Sequence, residues 1–135
     1  MNSQPFSNLV MLAGRAMLAT IFIVAGISKI GAYAGTQAYM ESVGLPGMLL
    51  PAVIALEIGG GIAILVGFQT RIAAALLAGF TLLAAIIFHS DFSQQMQSIL
   101  FMKNVAIAGA FLLLIAQGPG QWAIGEGRVA AGEPS

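Results

Sequence analysis

Apolar positions along this chain fall in long unbroken runs, without the alternation of a half-buried strand. Four runs stand out, near Leu9–Ser28, Met48–Gly67, Ile72–Ser90 and Ile99–Gln117. Each is about long enough to cross a hydrocarbon core of ~30 Å as a helix. The pattern predicts an all-α, polytopic membrane protein: a four-helix transmembrane bundle. Between the second and third runs "VGFQTR" is short enough to make them antiparallel neighbours, and "SDFSQQMQS" between the third and fourth is short and polar. The long connection is "GAYAGTQAYMESVGLPG", Gly31–Gly47. Its "TQAYMESV" predicts a short helix lying at the interface, with Tyr33 and Tyr39 at headgroup level. "GLPG" breaks it, and Pro51 falls in the first turn of the next span, where a missing N–H does no harm. The sequence therefore divides into an N-terminal tail (1–8), one membrane domain (9–124; spans 9–28, 48–67, 72–90 and 99–117) and a small, polar C-terminal tail (125–135) expected to be disordered.

Composition agrees with the pattern. Of 135 residues 59% are hydrophobic and 7% charged, with mean hydropathy +0.94, against roughly 25% charged in a soluble domain. Net charge is zero and no basic run exists, so nothing predicts a nucleic-acid partner; the partner implied by composition is membrane lipid. Cysteine is absent, which excludes thiolate chemistry and cysteine-held metal centres within the chain. With His89 as the single histidine, no metal site is expected. "AYA" at 32–34 mimics a signal-cleavage site, but no basic residue precedes the apolar run, so the first run reads as a retained span.

The few ionisable groups inside the runs carry the information. Such a group costs ~2.5–3.5 kcal/mol on insertion scales, so it almost always faces the bundle interior and pairs. Arg15 interrupts the first span, Glu57 the second, and Lys103 lies in the first turns of the fourth. Arg15, Phe22 and Lys29 are seven apart and share a helix face. Counted from the same membrane side, Glu57 lies roughly 15 Å deep and Arg15 roughly 9–10 Å. This predicts an Arg15–Glu57 pair, the guanidinium fork suiting a desolvated carboxylate. In "EIGGG", Gly60 and Gly61 follow Glu57 and admit either a close helix crossing or a small polar pocket. His89 reads as an interfacial histidine or as a proton relay or donor to a ligand carbonyl. Lys103 snorkels or pairs with Asp91, and Asn104 can hydrogen-bond across the bundle. Arg15, Arg71 and Arg128 fall on one side and Lys29 and Lys103 on the other, which favours both termini in the cytoplasm.

In order and spacing, "AGISKI", "LEIGGGIAILVGFQTRIAA", "FHSDF", "MKNVAIAGAFLLL" and "GPG" at 118–120 resemble the DoxX family of small four-span bacterial membrane proteins, over about residues 9–124. The loop "GAYAGTQAYMESVGLPG" is similar to its inner-membrane branch. The resemblance implies a bacterial inner (plasma) membrane location. The family is named for a small subunit of a membrane quinol oxidase or thiosulfate:quinone oxidoreductase system, so it also implies a link to redox functions. It assigns no reaction, and fold-level likeness does not carry function. Three functions follow as expectations. The chain serves as an envelope structural or accessory subunit, not an enzyme on its own, since no catalytic motif is present. Alternatively it binds a quinone or quinol beside a redox partner protein, with Arg15, Lys29, Glu57, His89, Lys103 and Asn104 as the polar set. Alternatively it is a small proton-coupled transporter, which would need a homodimer.

Overall fold

The computed structural model describes residues 4–124; residues 1–3 and the tail expected to be disordered, 125–135, lie outside the described residues. The order is α1 (Gln4–Gly31), α2 (Tyr33–Ser42), a 3-10 turn (Gly47–Leu49), α3 (Leu50–Val66), α4 (Thr70–Phe88) and α5 (Gln95–Gln117). Among the described residues four helices, counting the 3-10 turn with α3, are long and apolar enough to cross a membrane. The architecture is therefore the all-α four-span bundle that the apolar runs predict, with α2 as the short helix in the first loop. Residues 4–8, expected in a loose tail, form the first turns of α1, and Asn8 is buried there. At 28 residues, α1 is ~42 Å long, so it overhangs a ~30 Å core.

α1 packs chiefly on α3 and α4 on α5, with α3 and α4 joined by a tight turn. Gly67 (φ 79°) and Gln69 (φ 47°) both take left-handed backbone there. Glycine sets the α1/α3 distance. A Cβ on Gly61 would lie 2.7 Å from Ile23 Cγ1 and 3.3 Å from the Ala19 carbonyl. On α4, alanines 73, 74, 78 and 85 are buried, and such small residues let helices approach where lipid offers no hydrophobic drive. Phe22 of α1 and Phe111 of α5 meet at 5.5 Å and join the two helix pairs. Large apolar side chains such as Val24, Leu76, Ile86 and Leu113 are exposed, as lipid contact requires.

One end of the bundle is closed by backbone carbonyls and arginines. Phe68 N–H bonds back to Ala63, which leaves the Ile64 and Val66 carbonyls of α3 without helical partners. Arg15 Nη1 donates to Ile64 O at 3.4 Å, and Ile124 N–H donates to Val66 O at 2.9 Å. Arg15 Nη2 donates to the Trp122 carbonyl, and Ala123 lies against Gly67. In α5 the Ile115 carbonyl would normally receive residue 119, but Pro119 has no N–H to give. Arg71 Nε takes that place at 2.8 Å. Residues 118–124 thus fold back as a plug with Pro119 and Ala123 buried.

Replacing Arg15 by Met removes the donor for two carbonyls. With roughly 1–3 kcal/mol for each buried polar group left unsatisfied, we expect a clear fall in thermal stability in nanodiscs. Retention of the wild-type Tm would refute the plug.

Candidate functional site

At the opposite end, α2 lies across the bundle as a roof. Gln37 Nε2 donates to Gly47 O at 3.2 Å, and Tyr39 stacks on Phe88 at 5.2 Å. Beneath the roof is a cavity of about 540 Å³ between α1, α3, α4 and α5. Its walls are apolar and aromatic, including Phe22, Val53, Phe80, Phe88 and Ile107; its polar lining is Lys29, Thr36, Tyr39, Glu57, Thr81, His89 and Asn104. Exposed Ile21 and Leu83 stand at its rim, on helix surface that faces lipid.

Glu57 is buried at mid-span of α3 and pairs with Lys29. Lys29 Nζ lies 3.0 Å from Oε1 and donates to Oε2 at 3.2 Å. This corrects the expected Arg15–Glu57 pair. The depth count began α1 near Leu9, whereas the helix begins at Gln4 and overhangs. The glycine contacts set an antiparallel register in which Gly26 faces Glu57 and Ile58, Gly61 faces Ala19 and Ile23, and Gly67 faces Arg15. Arg15 is therefore about ten residues, or ~15 Å, from the carboxylate along the seam. The shared face on α1 does hold: Arg15 and Phe22 are buried, and Lys29, 28% exposed, reaches inward.

The sequence-predicted polar set is divided by the fold. Lys29, Glu57, His89 and Asn104 line the cavity. Arg15 belongs to the closed end. Gly61 serves the α1 contact, and a Cβ on Gly60 would lie 3.2 Å from Leu77 of α4, so neither glycine lines the cavity. Lys103 is exposed and pairs with no described residue; Asp91 accepts instead from Ser93 and Gln94. Asn104 Nδ2 donates across to the Thr81 carbonyl at 3.2 Å. Thr81 and Thr36 were missed in sequence. Thr81 carried a readable signal, as the hydroxyl within the otherwise apolar stretch 72–88; Thr36 reaches the cavity only because α2 folds over it.

Buried polar atoms normally have partners. Among the described residues the exceptions are Arg15 Nε and Thr70 Oγ1 at the closed end, Gln97 Oε1 in α5, Thr81 Oγ1, His89 Nδ1, and Glu57 Oε1, which has the charge contact to Lys29 but no aligned hydrogen bond. Thr81, His89 and Glu57 line the same cavity. Among the described residues no group of three or more His, Asp or Glu is placed to hold a metal. What the arrangement can do is bind a compound with an apolar body and a small polar head.

The fold and cavity define a class: a four-span membrane protein, closed at one end and hollow at the other, where a few polar groups line an apolar cavity. The DoxX family model matches residues 10–90, and the chain belongs to this family. It is 55% identical to the inner membrane protein YqjF of Escherichia coli over 113 residues, 84% of this chain and 87% of that protein. Identity to E. coli inner membrane protein YphA is 41% over 82% of this chain and 84% of the relative. A Bacillus subtilis protein named "Putative oxidoreductase CatD" is 38% identical over 54% of each chain. No solved structure matches.

The pairing is open to a double-mutant cycle. Lys29→Met alone strands a buried carboxylate; with Lys29 partly exposed we expect a loss of about 2 kcal/mol, below the ~3–5 of a fully buried pair. Adding Glu57→Leu should restore most of it. The Arg15/Glu57 cycle should be additive within ~0.5 kcal/mol. Coupling of Glu57 to Arg15 and not to Lys29, read from unfolding in nanodiscs, would contradict the register.

Proposed function

We propose that this protein is an accessory subunit of the bacterial inner membrane that binds the head of a quinone-class molecule in the cavity beneath α2. The observation that carries the reading is the cavity itself. It has apolar, aromatic walls, and polar atoms of Glu57, Thr81 and His89 without an aligned hydrogen bond at its lining. At about 540 Å³ it falls within the ~300–1,000 Å³ of small-molecule sites. Its rim at Ile21 and Leu83 suits a ligand that arrives through lipid. The named relatives in E. coli support the inner membrane, and the more distant CatD name supports a redox setting. A partner protein supplies or accepts the electrons. The plug at 118–124 favours binding over passage through the bundle. The arginine-bearing end, with both termini, faces the cytoplasm.

In this reading the full-length protein, purified in nanodiscs, releases a quinone on solvent extraction and binds a short-tailed benzoquinone or naphthoquinone saturably. Ala84→Trp, which fills the cavity wall, should weaken binding at least tenfold while leaving the Lys29–Glu57 pair in place. Absence of both extracted quinone and saturable binding would overturn the proposal. For topology, a C-terminal reporter fusion should be active only as a cytoplasmic reporter; periplasmic activity reverses the orientation.

A further inference from the structure

The lining of the cavity distinguishes between the two redox forms of such a ligand. Glu57 is 4% exposed, and as the carboxylate of an ion pair it only accepts hydrogen bonds. A carboxylate offers about four acceptor positions, and Lys29 fills one of them with an aligned hydrogen bond, at Oε2. Oε1 has none. Among the neighbouring groups, Asn104 Nδ2 gives one N–H to the Thr81 carbonyl and keeps a second, while the Thr81 hydroxyl can donate or accept, as can His89 Nδ1 according to its tautomer. A quinone presents only carbonyl acceptors. Its oxygen can accept an N–H that Lys29 does not give to Oε2, but it has no hydrogen to give to Oε1. A hydroquinone presents O–H donors. One of them can donate to Oε1 while the Lys29–Glu57 pair stays intact, and a hydrogen bond to a charged acceptor is the stronger kind.

We infer that Glu57 makes this cavity selective for a hydroxyl-bearing, reduced ring over its carbonyl-bearing, oxidised form. Resting on the quinone-class reading above, the inference adds which form is held and which atom selects it. Thr81 and His89 adapt to either form and do not discriminate.

The test uses the full chain in nanodiscs under anaerobic conditions, titrated with one short-tailed benzoquinone and, separately, its hydroquinone. Hydroquinone should bind about tenfold or more tightly. A tenfold preference raises the potential of the bound two-electron couple by about 30 mV relative to the free couple. In Glu57→Gln, whose amide also offers N–H donors, the preference should shrink to near unity or reverse, with total affinity for the quinone kept or raised. The double variant Lys29→Met/Glu57→Leu, which removes the charge pair together, should bind both forms alike. Equal affinity for both forms in the wild type, or a preference surviving unchanged in Glu57→Gln, overturns the selectivity but leaves quinone binding standing. Failure of both forms to bind overturns the quinone-class reading itself.

Discussion

The position of α1 along α3 is the constraint on which the rest of this protein depends. The two helices touch where side chains vanish, at Gly26 and Gly61, and a Cβ at either position would press on the facing helix. Membrane helices gain little from apolar contact with each other compared with lipid, so close packing of this kind decides their registry. Slide α1 by two to three turns and Arg15 would reach Glu57, leaving Lys29 beyond the end of α3. In the registry observed, the carboxylate takes the lysine, and the arginine is released to serve helix ends.

The division of labour between the cations follows from their chemistry. Arg15 and Arg71 meet main-chain carbonyls at the ends of α3 and α5, where cations suit the negative end of the helix dipole. A guanidinium with five donors in a rigid fork can serve two separate carbonyls at once, as Arg15 does for Ile64 and Trp122. Lys29, a single flexible ammonium, answers a single carboxylate. One end of the bundle is thereby tightly closed, and the other is left roomy enough to hold a cavity. The same sparse set of charges produces both.

The fold was legible because its signal is length and apolarity, which do not depend on how helices pack. The inward face of α1 was legible too, since Arg15, Phe22 and Lys29 repeat at a helical spacing. What escaped was anything decided between helices. Depth counting placed Glu57 beside Arg15 because it took the start of the apolar run for the start of the helix, and α1 has polar first turns at Gln4–Asn8. The role of "GPG" was likewise hidden. A proline that withholds its N–H from Ile115 creates a need, but which side chain answers it is settled by tertiary structure. Of the cavity lining, Glu57, Lys29, His89 and Asn104 announced themselves as polar residues in apolar surroundings; Phe80 and Ile107 did not, because in such a chain an apolar residue is the background.

The plug has a meaning for biosynthesis. Arg15 belongs to α1, the first described helix, and one of its acceptors, the Trp122 carbonyl, lies 107 positions later in the chain. Through the insertion of every intervening span, the guanidinium must wait on water, lipid phosphate or the insertion machinery for its hydrogen bonds. Ile124 closes the carbonyl of Val66 only after that. The hydrogen bonds of α1 at this end and those of the last described residues thus depend on one another, and they need residues 118–124 in place. Without residues 118–124 the Arg15 guanidinium has no Trp122 carbonyl to meet, and the Val66 carbonyl has no Ile124 N–H.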